Sequence, residues 1–345
     1  MIMQTRIRWH TVLSIGMLLA VLASAAGYFY WASRPFTLEQ LAPVDKPTLV
    51  HTIKLPEAGS EFAWNSRGDR LAVAHLDLNK EDQSVVSIYT VDGKRLRQLA
   101  VNIDAFNTID DLEWHPTKDI LAVSYRQALV LWSADGTIIK RINNGIESAF
   151  QQLSWNQQTN ELAVIDYYAY NGEYYNQIVL FDEYGTKIRR FPTKFGYTTQ
   201  MKWINQVNII VNVTNRIYTF NTITEEWIRL FEDEQYAVDI DSNHNRIVGA
   251  GENNDKELEI WQNGIIKTIE LAEFSGRIPK SSPRGDYTVL YTIGRLNFFN
   301  HHTQEFEIHP LTNKDLIYVT VEWHPSKPIL ATLLFYEIQV WQFPE

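Results

Sequence analysis

The side chains in this sequence that could do chemistry are carboxylates placed near the start of short apolar segments. They are Asp110, Asp111, Asp239, Asp241 and Asp315. Carboxylates that converge in the fold could attract a cation or a basic peptide, or could serve a hydrolase or lyase as acid and base. The alternative is that backbone amides of turns and strand ends satisfy these acids. Their spacing along the chain does not identify an acid–base pair.

Other residue types that support catalysis or metal binding form no motif. The chain has no cysteine, which excludes disulfides, thiolate metal sites, a cysteine nucleophile and a lipoprotein anchor. His115 and His324 recur in two equivalent "WHP" segments and are interpreted as turn residues. The adjacent His301 and His302 are a poor chelating pair. No G-x-S-x-G, H-E-x-x-H or glycine-rich phosphate loop is present, so the sequence predicts no cofactor, no metal and no identifiable enzyme activity.

An internal repeat predicts the elements that would position these acids. A short β-type segment that ends in an aromatic residue occurs seven times, with a mean spacing of 42 residues. The seven final residues are Tyr89, Trp132, Phe181, Phe220, Trp261, Phe299 and Trp341. Upstream of most of them lie an aromatic residue, a polar turn and an apolar segment, and downstream lie a turn and a further segment. Each repeat therefore predicts four short strands.

The predicted fold is all-β: a seven-bladed β-propeller of four-stranded antiparallel blades. Strands such as "ILAVSY" are apolar at successive positions, which is typical of sheets covered on both faces. Stacked four-stranded sheets of this repeat length are propeller blades, and residues 48–345 fit seven of them. The segment 48–55, "TLVHTIKL", is similar to "GIIKTIEL" at 264–271. It is predicted to complete the last blade and close the ring.

The repeats resemble those of the WD40 superfamily over essentially all of residues 48–345. "LEWHP…LAVS…LVLW" at 112–132 and "VEWHP…LATL…IQVW" at 321–341 carry the resemblance. No Gly-His dipeptide opens the repeats and no Trp-Asp dipeptide closes the third strand, so the hydrogen-bond network of typical WD40 blades is not carried over. The turns "VDGK" and "ADGT" are similar to those of bacterial TolB-type repeats.

The N-terminal segment is predicted to anchor the protein in a membrane. Residues 11–33 carry no charge, are long enough to span a bilayer, and follow Arg6 and Arg8. This predicts a cytoplasmic N-terminus at 1–10, a single-pass signal-anchor helix at 11–33 and a linker at 34–47. The propeller would lie on the extracytoplasmic side of the inner membrane, in the periplasm or its equivalent. The alternative is a cleaved signal peptide, since residues 23–25 fit a cleavage site.

Two insertions between second and third strands are candidate binding elements on one end of the ring. The insertion at 75–84 brings Asp77, Glu81 and Asp82, and the insertion at 166–176 brings Tyr167, Tyr168, Tyr170, Tyr174 and Tyr175. Tyrosine is enriched at protein interfaces; the alternative is a hairpin extension whose tyrosines pack on one another. The acidic insertion lacks the spacing of a calcium loop and is either an interface or a solvated loop.

The net charge of -10 argues against nonspecific binding to nucleic acid or to an anionic membrane surface, and favours a partner with a basic surface. The sequence thus predicts a membrane-tethered propeller that acts as a protein–protein interaction scaffold through these two insertions. One alternative is a binder of a small molecule, glycan or cell-wall fragment at the mouth of the central channel, where the five aspartates would lie. The other is a hydrolase or lyase that uses their carboxylates.

Overall fold

The computed structural model describes residues 36–76, 84–100, 108–144, 148–170, 173–193, 197–231, 235–241, 246–251, 257–262, 265–270, 278–292, 294–311 and 319–344. The chain divides into two units, Met1–Leu41 and Ala42–Glu345. In the described part of the first unit, Leu38–Gln40 form one turn of 3-10 helix. Within the described ranges, no helix is both long and apolar enough to cross a bilayer. The predicted signal anchor at 11–33 lies outside these ranges.

The second unit is built from four-stranded antiparallel sheets, and the first three sheets follow one another along the chain. Blade 1 contains β2 (Gly59–Trp64), β3 (Arg70–Leu76), β4 (Ser84–Thr90) and β5 (Arg95–Leu99). Blade 2 contains β6 (Ile109–Trp114), β7 (Ile120–Tyr125), β8 (Ala128–Ser133) and β9 (Ile138–Asn143). Blade 3 contains β10 (Ser148–Trp155), β11 (Leu162–Tyr170), β12 (Glu173–Phe181) and β13 (Lys187–Pro192).

The next three blades repeat the same strand order. Blade 4 contains β14 (Thr198–Trp203), β15 (Asn208–Val213), β16 (Arg216–Asn221) and β17 (Trp227–Arg229). Blade 5 contains β18 (Gln235–Asp241), β19 (Arg246–Gly251), β20 (Glu257–Gln262) and β21 (Ile265–Glu270). Blade 6 contains β22 (Ile278–Ser281), β23 (Tyr287–Thr292), β24 (Arg295–Asn300) and β25 (Glu305–Pro310).

Blade 7 joins the two ends of the propeller. It contains β26 (Thr320–Trp323), β27 (Ile329–Leu334) and β28 (Glu337–Gln342), and its fourth strand is β1 (Thr48–Lys54). β1 pairs with β28 in antiparallel register from Thr48 opposite Gln342 to Lys54 opposite Glu337. First strands of successive blades contact one another around the whole ring, including β2 against β26. The seven-bladed propeller and its closure by the N-terminal strand are therefore confirmed.

The hydrophobic core lies between the blades. β7 and β27 are buried at every position because neighbouring blades cover both faces of each sheet, which explains their continuous apolar sequences. Between blades 1 and 2, Val86 and Trp114 belong to one buried cluster. The fourth strands differ, since they form the outer rim of the ring: β5 and β9 are exposed at most positions.

Candidate functional site

The first strands bring charged and polar side chains together near the centre of the ring. In most blades, the residue just before the position of the repeat's tryptophan belongs to this set. We name the set the channel ring; its members are Glu113, Ser154, Lys202, Asp239, Lys280 and Glu322.

Members of the channel ring bind backbone groups of the following blade. Glu113 Oε2 accepts a hydrogen bond from the backbone N–H of Trp155 at 2.9 Å. Asp239 Oδ2 accepts one from the backbone N–H of Ser281 at 2.6 Å. A first strand has no partner strand on its inner side, so its N–H groups need other acceptors. The preceding blade supplies them, which gives these acids a structural role.

Two lysines offset part of the negative charge of the channel ring. Lys202 Nζ lies 2.7 Å from Asp239 Oδ1, and Lys280 Nζ lies 2.6 Å from Glu322 Oε1. Burial alone would lower the pKa of Lys280, but the charges of Glu322, Asp239 and Glu61 raise it. Lys280 is therefore held in its charged form among carboxyl groups from several blades.

Two further acids are Glu61, on the first strand of blade 1, and Asp111, on the first strand of blade 2. Each lies two residues before the channel-ring position of its strand. Asp111 accepts hydrogen bonds from the backbone N–H groups of Leu112 and Leu153, both at 2.8 Å. Burial raises the pKa of Asp111 to about 7 in spite of these bonds. Burial, followed by the charge of Asp111, raises the pKa of Glu61 to about 8.

The same cause acts on two neighbouring carboxyl groups. Burial, followed by the charge of Asp111, raises the pKa of Glu113 well above its ordinary value, and burial raises the pKa of Asp110 to about 6 against the charge of Arg126. Several carboxyls here thus keep a proton near neutral pH, and a protonated carboxyl can donate a hydrogen bond or act as a general acid. Among the described residues, no group of three or more His, Asp or Glu side chains is arranged to hold a metal ion.

Neutralising Glu61 is expected to change how stability depends on pH. Its folded pKa of about 8 lies above its ordinary value of 4.5, so the stability it contributes is full below about pH 4.5 and is lost as pH rises to about 8. We expect Glu61→Gln to leave the free energy of unfolding nearly unchanged at pH 4 and to raise it by about 2 kcal/mol at pH 8. Urea denaturation at both pH values measures this.

Glu183→Gln is a control of opposite sign for the Glu61 measurement. The hydrogen bond from Lys118 lowers the pKa of Glu183, so its stabilising contribution exists above its ordinary pKa and is lost as the pH falls. A small loss of stability at pH 8 is expected for this exposed pair. A Glu61→Gln effect of equal size at pH 4 and pH 8 would contradict the burial of the Glu61 carboxyl.

Of the five aspartates that were predicted at the channel mouth, three have described side chains on first strands. Asp110 and Asp111 lie on β6, and Asp239 lies on β18. Asp111 and Asp239 accept hydrogen bonds from backbone N–H groups, which is the alternative that the sequence left open. Asp241 ends β18, but its side chain and the whole of Asp315 lie outside the described part of the chain.

Sequence reasoning missed Glu61, Glu113, Lys202, Lys280 and Glu322, which share the centre of the ring with those aspartates. The feature that could have identified them in the sequence is their position within the repeat. Each stands one or three residues before the position of the repeat's tryptophan, so an alignment of the repeats on that residue would have found them.

The "WHP" histidines cap the turns between first and second strands, as the sequence predicted. His115 Nδ1 accepts hydrogen bonds from the backbone N–H groups of Thr117 and Lys118, both at 3.1 Å. His324 Nδ1 does the same in blade 7, and the side-chain oxygen of Asn65 takes this role in blade 1. Burial lowers the pKa of His115, which keeps Nδ1 free of a proton and able to accept.

The insertion at 166–176 extends the middle strands of blade 3 into a longer hairpin. β11 and β12 each have 9 residues, whereas β7 and β8 of blade 2 have 6. At the base, Asp166 is buried and accepts hydrogen bonds from Asn144 and, at 2.6 Å, from Gln177. We name residues 166–176 the tyrosine hairpin. Most of the insertion is therefore regular strand, which is the hairpin extension that the sequence left open as an alternative.

Two tyrosine pairs stiffen the tyrosine hairpin, one on each face of its sheet, since Tyr167 and Tyr168 are successive residues of β11. Tyr168 and Tyr175 face each other across β11 and β12 and stack, with ring centroids 5.7 Å apart. Tyr167 meets the edge of Tyr197 from blade 4 at 5.6 Å, and Gln151 donates a hydrogen bond to the Tyr197 hydroxyl at 3.0 Å. Tyr175 and Tyr197 still expose 41% and 47% of their surface. The tyrosines thus pack on one another and also present aromatic area to solvent.

For the other predicted interface residues, the structure describes only the backbones of Tyr170 and Tyr174. Tyr170 and Tyr174 pair through their backbones with Glu173 and Ala169, but their side chains lie outside the described part of the chain. Asp77, Glu81 and Asp82 of the acidic insertion lie outside it altogether.

Known proteins resemble this chain in fold. No protein-family model matches the sequence, and no curated protein matches it either. Among solved structures, the WD40 domain of Neurospora crassa Pan2 superposes with a TM-score of 0.67 at 13% identity, over 88% of this chain and 100% of that one. A chain of the mitotic checkpoint complex superposes with a TM-score of 0.67 at 13% identity, over 91% and 100%. The chain therefore shares the β-propeller fold of the Pan2 WD40 domain.

Proposed function

We propose that this protein is a membrane-tethered, extracytoplasmic scaffold that binds a protein partner through the end of the ring that carries the tyrosine hairpin. The observation that carries the proposal is that two exposed tyrosines are each held by another tyrosine: Tyr175 on the tyrosine hairpin by Tyr168, and Tyr197, just before β14, by Tyr167. Tyrosines held by stacking lose little conformational freedom on binding and offer both apolar area and a hydroxyl.

The topology favours this end of the ring. In a four-stranded antiparallel blade, the connections between second and third strands open on the same end as those that lead to the next blade. The end of β11 at Tyr170, the start of β12 at Glu173, and Tyr197, which precedes β14, all belong to that end. The contact between Tyr167 and Tyr197 joins blades 3 and 4 at that end, so an interface that includes it would contact two blades.

Two further observations support the proposal. One of the structures with this fold is a protein assembly, the mitotic checkpoint complex. The uncharged segment 11–33 follows basic residues and supports a signal anchor that holds the propeller outside the cytoplasm. The turns at Gly93 and Gly136, which are similar to TolB-type turns, favour a bacterial envelope as the setting.

In vivo crosslinking and pull-down of the full-length protein test this function. We expect Tyr175→Ala/Tyr197→Ala to reduce capture of the partner by about tenfold or more, since truncating interface tyrosines costs on the order of 1–2 kcal/mol each. Replacing 167–175 by a Gly-Ser turn should abolish capture. The complex should stay with the membrane pellet after an alkaline carbonate wash, which tests the tether.

Tyr184→Ala is the matched control for this experiment. Tyr184 is also an exposed tyrosine of blade 3, at 59%, but it lies in the turn between β12 and β13 at the opposite end of the ring. Capture should be unchanged in this variant. Loss of capture in Tyr184→Ala, or retention after removal of 167–175, would place the interface elsewhere and contradict the proposal.

A second candidate function is binding or turnover of a small molecule, glycan or cell-wall fragment at the channel. It is favoured by the convergence of Glu61, Asp111 and Glu322 around Lys280. A ligand bound at the channel would contact particular carboxyl groups. If Glu61 is one of them, Glu61→Gln abolishes the rise in unfolding temperature that the ligand causes. The scaffold tolerates that substitution and depends on the tyrosines.

A further inference from the structure

The negative charge of this protein is not evenly distributed. The outer strands of blades 1 to 3, which are β5, β9 and β13, contain seven Lys and Arg residues and no acid. The outer strand of blade 6, β25, contains two glutamates and no Lys or Arg. A net charge of -10 for the whole chain therefore conceals a basic sector on the rim.

We name this sector the basic rim; it includes Arg95, Arg97, Lys140, Arg141, Arg189 and Arg190, all of them exposed. Exposed aliphatic side chains lie between the basic ones along the same strands. Leu96, Ile138, Ile139 and Ile188 are 37–43% exposed. The basic rim thus combines positively charged groups with apolar side chains that are exposed to solvent.

The basic rim continues across the blade boundaries. A Cβ on Gly136, in the last turn of blade 2, would lie 2.6 Å from Arg97 Cδ of blade 1. A Cβ on Gly185, in the last turn of blade 3, would lie 2.8 Å from Lys140 Cγ of blade 2. The aliphatic parts of Arg97 and Lys140 therefore rest on the glycine turn of the next blade.

Acids border this surface, but none lies within its three strands. Glu57 Oε1 lies 3.5 Å from Arg95 NH1, and Asp135 interacts electrostatically with Arg97. Asp92, Asp182 and Glu183 stand in the turns that lead into β5 and β13, so the cationic surface is that of the strands themselves. It is formed by regular strands, which suits a flat, laterally uniform binding partner better than a single peptide.

The path of the chain relates the basic rim to the proposed tether. The chain enters the ring at β1, the outer strand of blade 7, and Ile53 of β1 lies against the turn at Gly93 that leads into β5. Residues 34–47 connect β1 to the candidate span, and a linker of that length reaches at most about 50 Å. The tether would therefore hold blade 1 within reach of the bilayer.

We propose that the basic rim docks on an anionic lipid bilayer, so that the propeller lies with its edge against the membrane. This rests on the proposed tether for proximity and on the charge and aliphatic side chains of the basic rim for the contact itself. Basic surfaces with interleaved aliphatic side chains bind bilayers that contain anionic lipid, through headgroup attraction and shallow burial of apolar groups.

The absence of cysteine from the chain makes a site-specific test direct. Ile139→Cys places a fluorescent label on the basic rim, and Ile308→Cys places one on β25, where Ile308 is also exposed, at 52%. The full-length protein is reconstituted in nanodiscs that carry a lipid-bound quencher, with either neutral lipid alone or added anionic lipid. We expect at least severalfold more quenching at position 139 than at 308 in anionic discs, and no such difference in neutral discs.

A charge variant with a matched control separates this contact from general electrostatics. Lys140→Gln/Arg141→Gln should remove most of the excess quenching at position 139. Lys267→Gln/Arg295→Gln changes the net charge equally, on exposed residues of blades 5 and 6, and should preserve it. Equal quenching at both labels, or none at position 139 in anionic discs, overturns the proposal. The latter result is also the one expected if the basic rim instead binds an acidic protein.

The same reconstitution distinguishes failure of the tether from failure of the basic rim. Protein that does not co-elute with neutral discs lacks the tether. If such protein still binds anionic discs, and Lys140→Gln/Arg141→Gln abolishes that binding, the basic rim is supported on its own. Stable incorporation into both kinds of disc without quenching at position 139 retains the tether and rejects the basic rim.

Discussion

Ile53→Asp is expected to destabilise the propeller by about 4 kcal/mol or more, because it places a carboxylate without a partner in the strand that closes the ring. Ile53 is 1% exposed, pairs with Ile338 of β28 and lies against the turn at Gly93 of blade 1. Water can reach the new charge only if β1 separates from β28 of blade 7 and from the Gly93 turn of blade 1. The midpoint of thermal unfolding, followed by tryptophan fluorescence of the full-length protein, should fall by roughly 10 °C.

Leu49→Asp is the matched control for ring closure. Leu49 lies on the same strand but is 40% exposed, so a carboxylate there keeps its hydration. Its effect should stay within about 0.5 kcal/mol. Similar losses from the two substitutions would show that a charge anywhere on β1 is harmful, and an unaffected Ile53→Asp would show that β1 does not close the ring.

Gly68→Ala is expected to be the second most damaging change, at about 3 kcal/mol or more. Gly68 lies in the turn between β2 and β3 with φ at 72°, and a Cβ there would lie 1.8 Å from His324 Nε2 of blade 7. The imidazole has little room to move, because it is buried and its Nδ1 accepts hydrogen bonds from Ser326 and Lys327. Urea denaturation measures the loss.

Gly93→Ala controls for the backbone conformation. Gly93 has a φ of 87°, but a Cβ there would lie 3.0 Å from Ile53 Cγ2, so most of the cost is that of the left-handed conformation, about 1 kcal/mol. In addition, His324→Ala should recover part of the Gly68→Ala loss when the two are combined, because it removes the overlapping ring. Additive losses in that double variant would mean that Gly68 and His324 are not in contact.

The fold could be predicted from the sequence because a propeller repeats one local pattern and covers both faces of every sheet. The same arrangement explains how β1 was assigned: its sequence is similar to that of the fourth strand at 264–271, and it pairs with β28 as a fourth strand does. Each of these inferences depends on residues within one repeat, or on a comparison of repeats, and both are visible in a linear sequence.

The candidate site was less predictable because its members interact between blades. Glu113 binds the backbone of Trp155, which lies 42 positions further along the chain, and no local pattern records that pairing. The tyrosine-rich insertion was identified, and the hairpin extension with packed tyrosines was the alternative that the sequence left open; the pairing of Tyr168 with Tyr175 shows it. The basic rim was hidden because net charge averages over surfaces that face different directions.

The pairing of β1 with β28 also determines how the ring carries mechanical force. The segment that leads to the membrane in the proposed arrangement continues directly into β1, so tension along it is applied to the closing strand. Interstrand hydrogen bonds lie perpendicular to the strands, and a pull along β1 therefore loads the register from Thr48 to Lys54 in shear, with all its bonds sharing the load. A ring tethered through its closing strand resists being pulled open, because no single hydrogen bond has to break first.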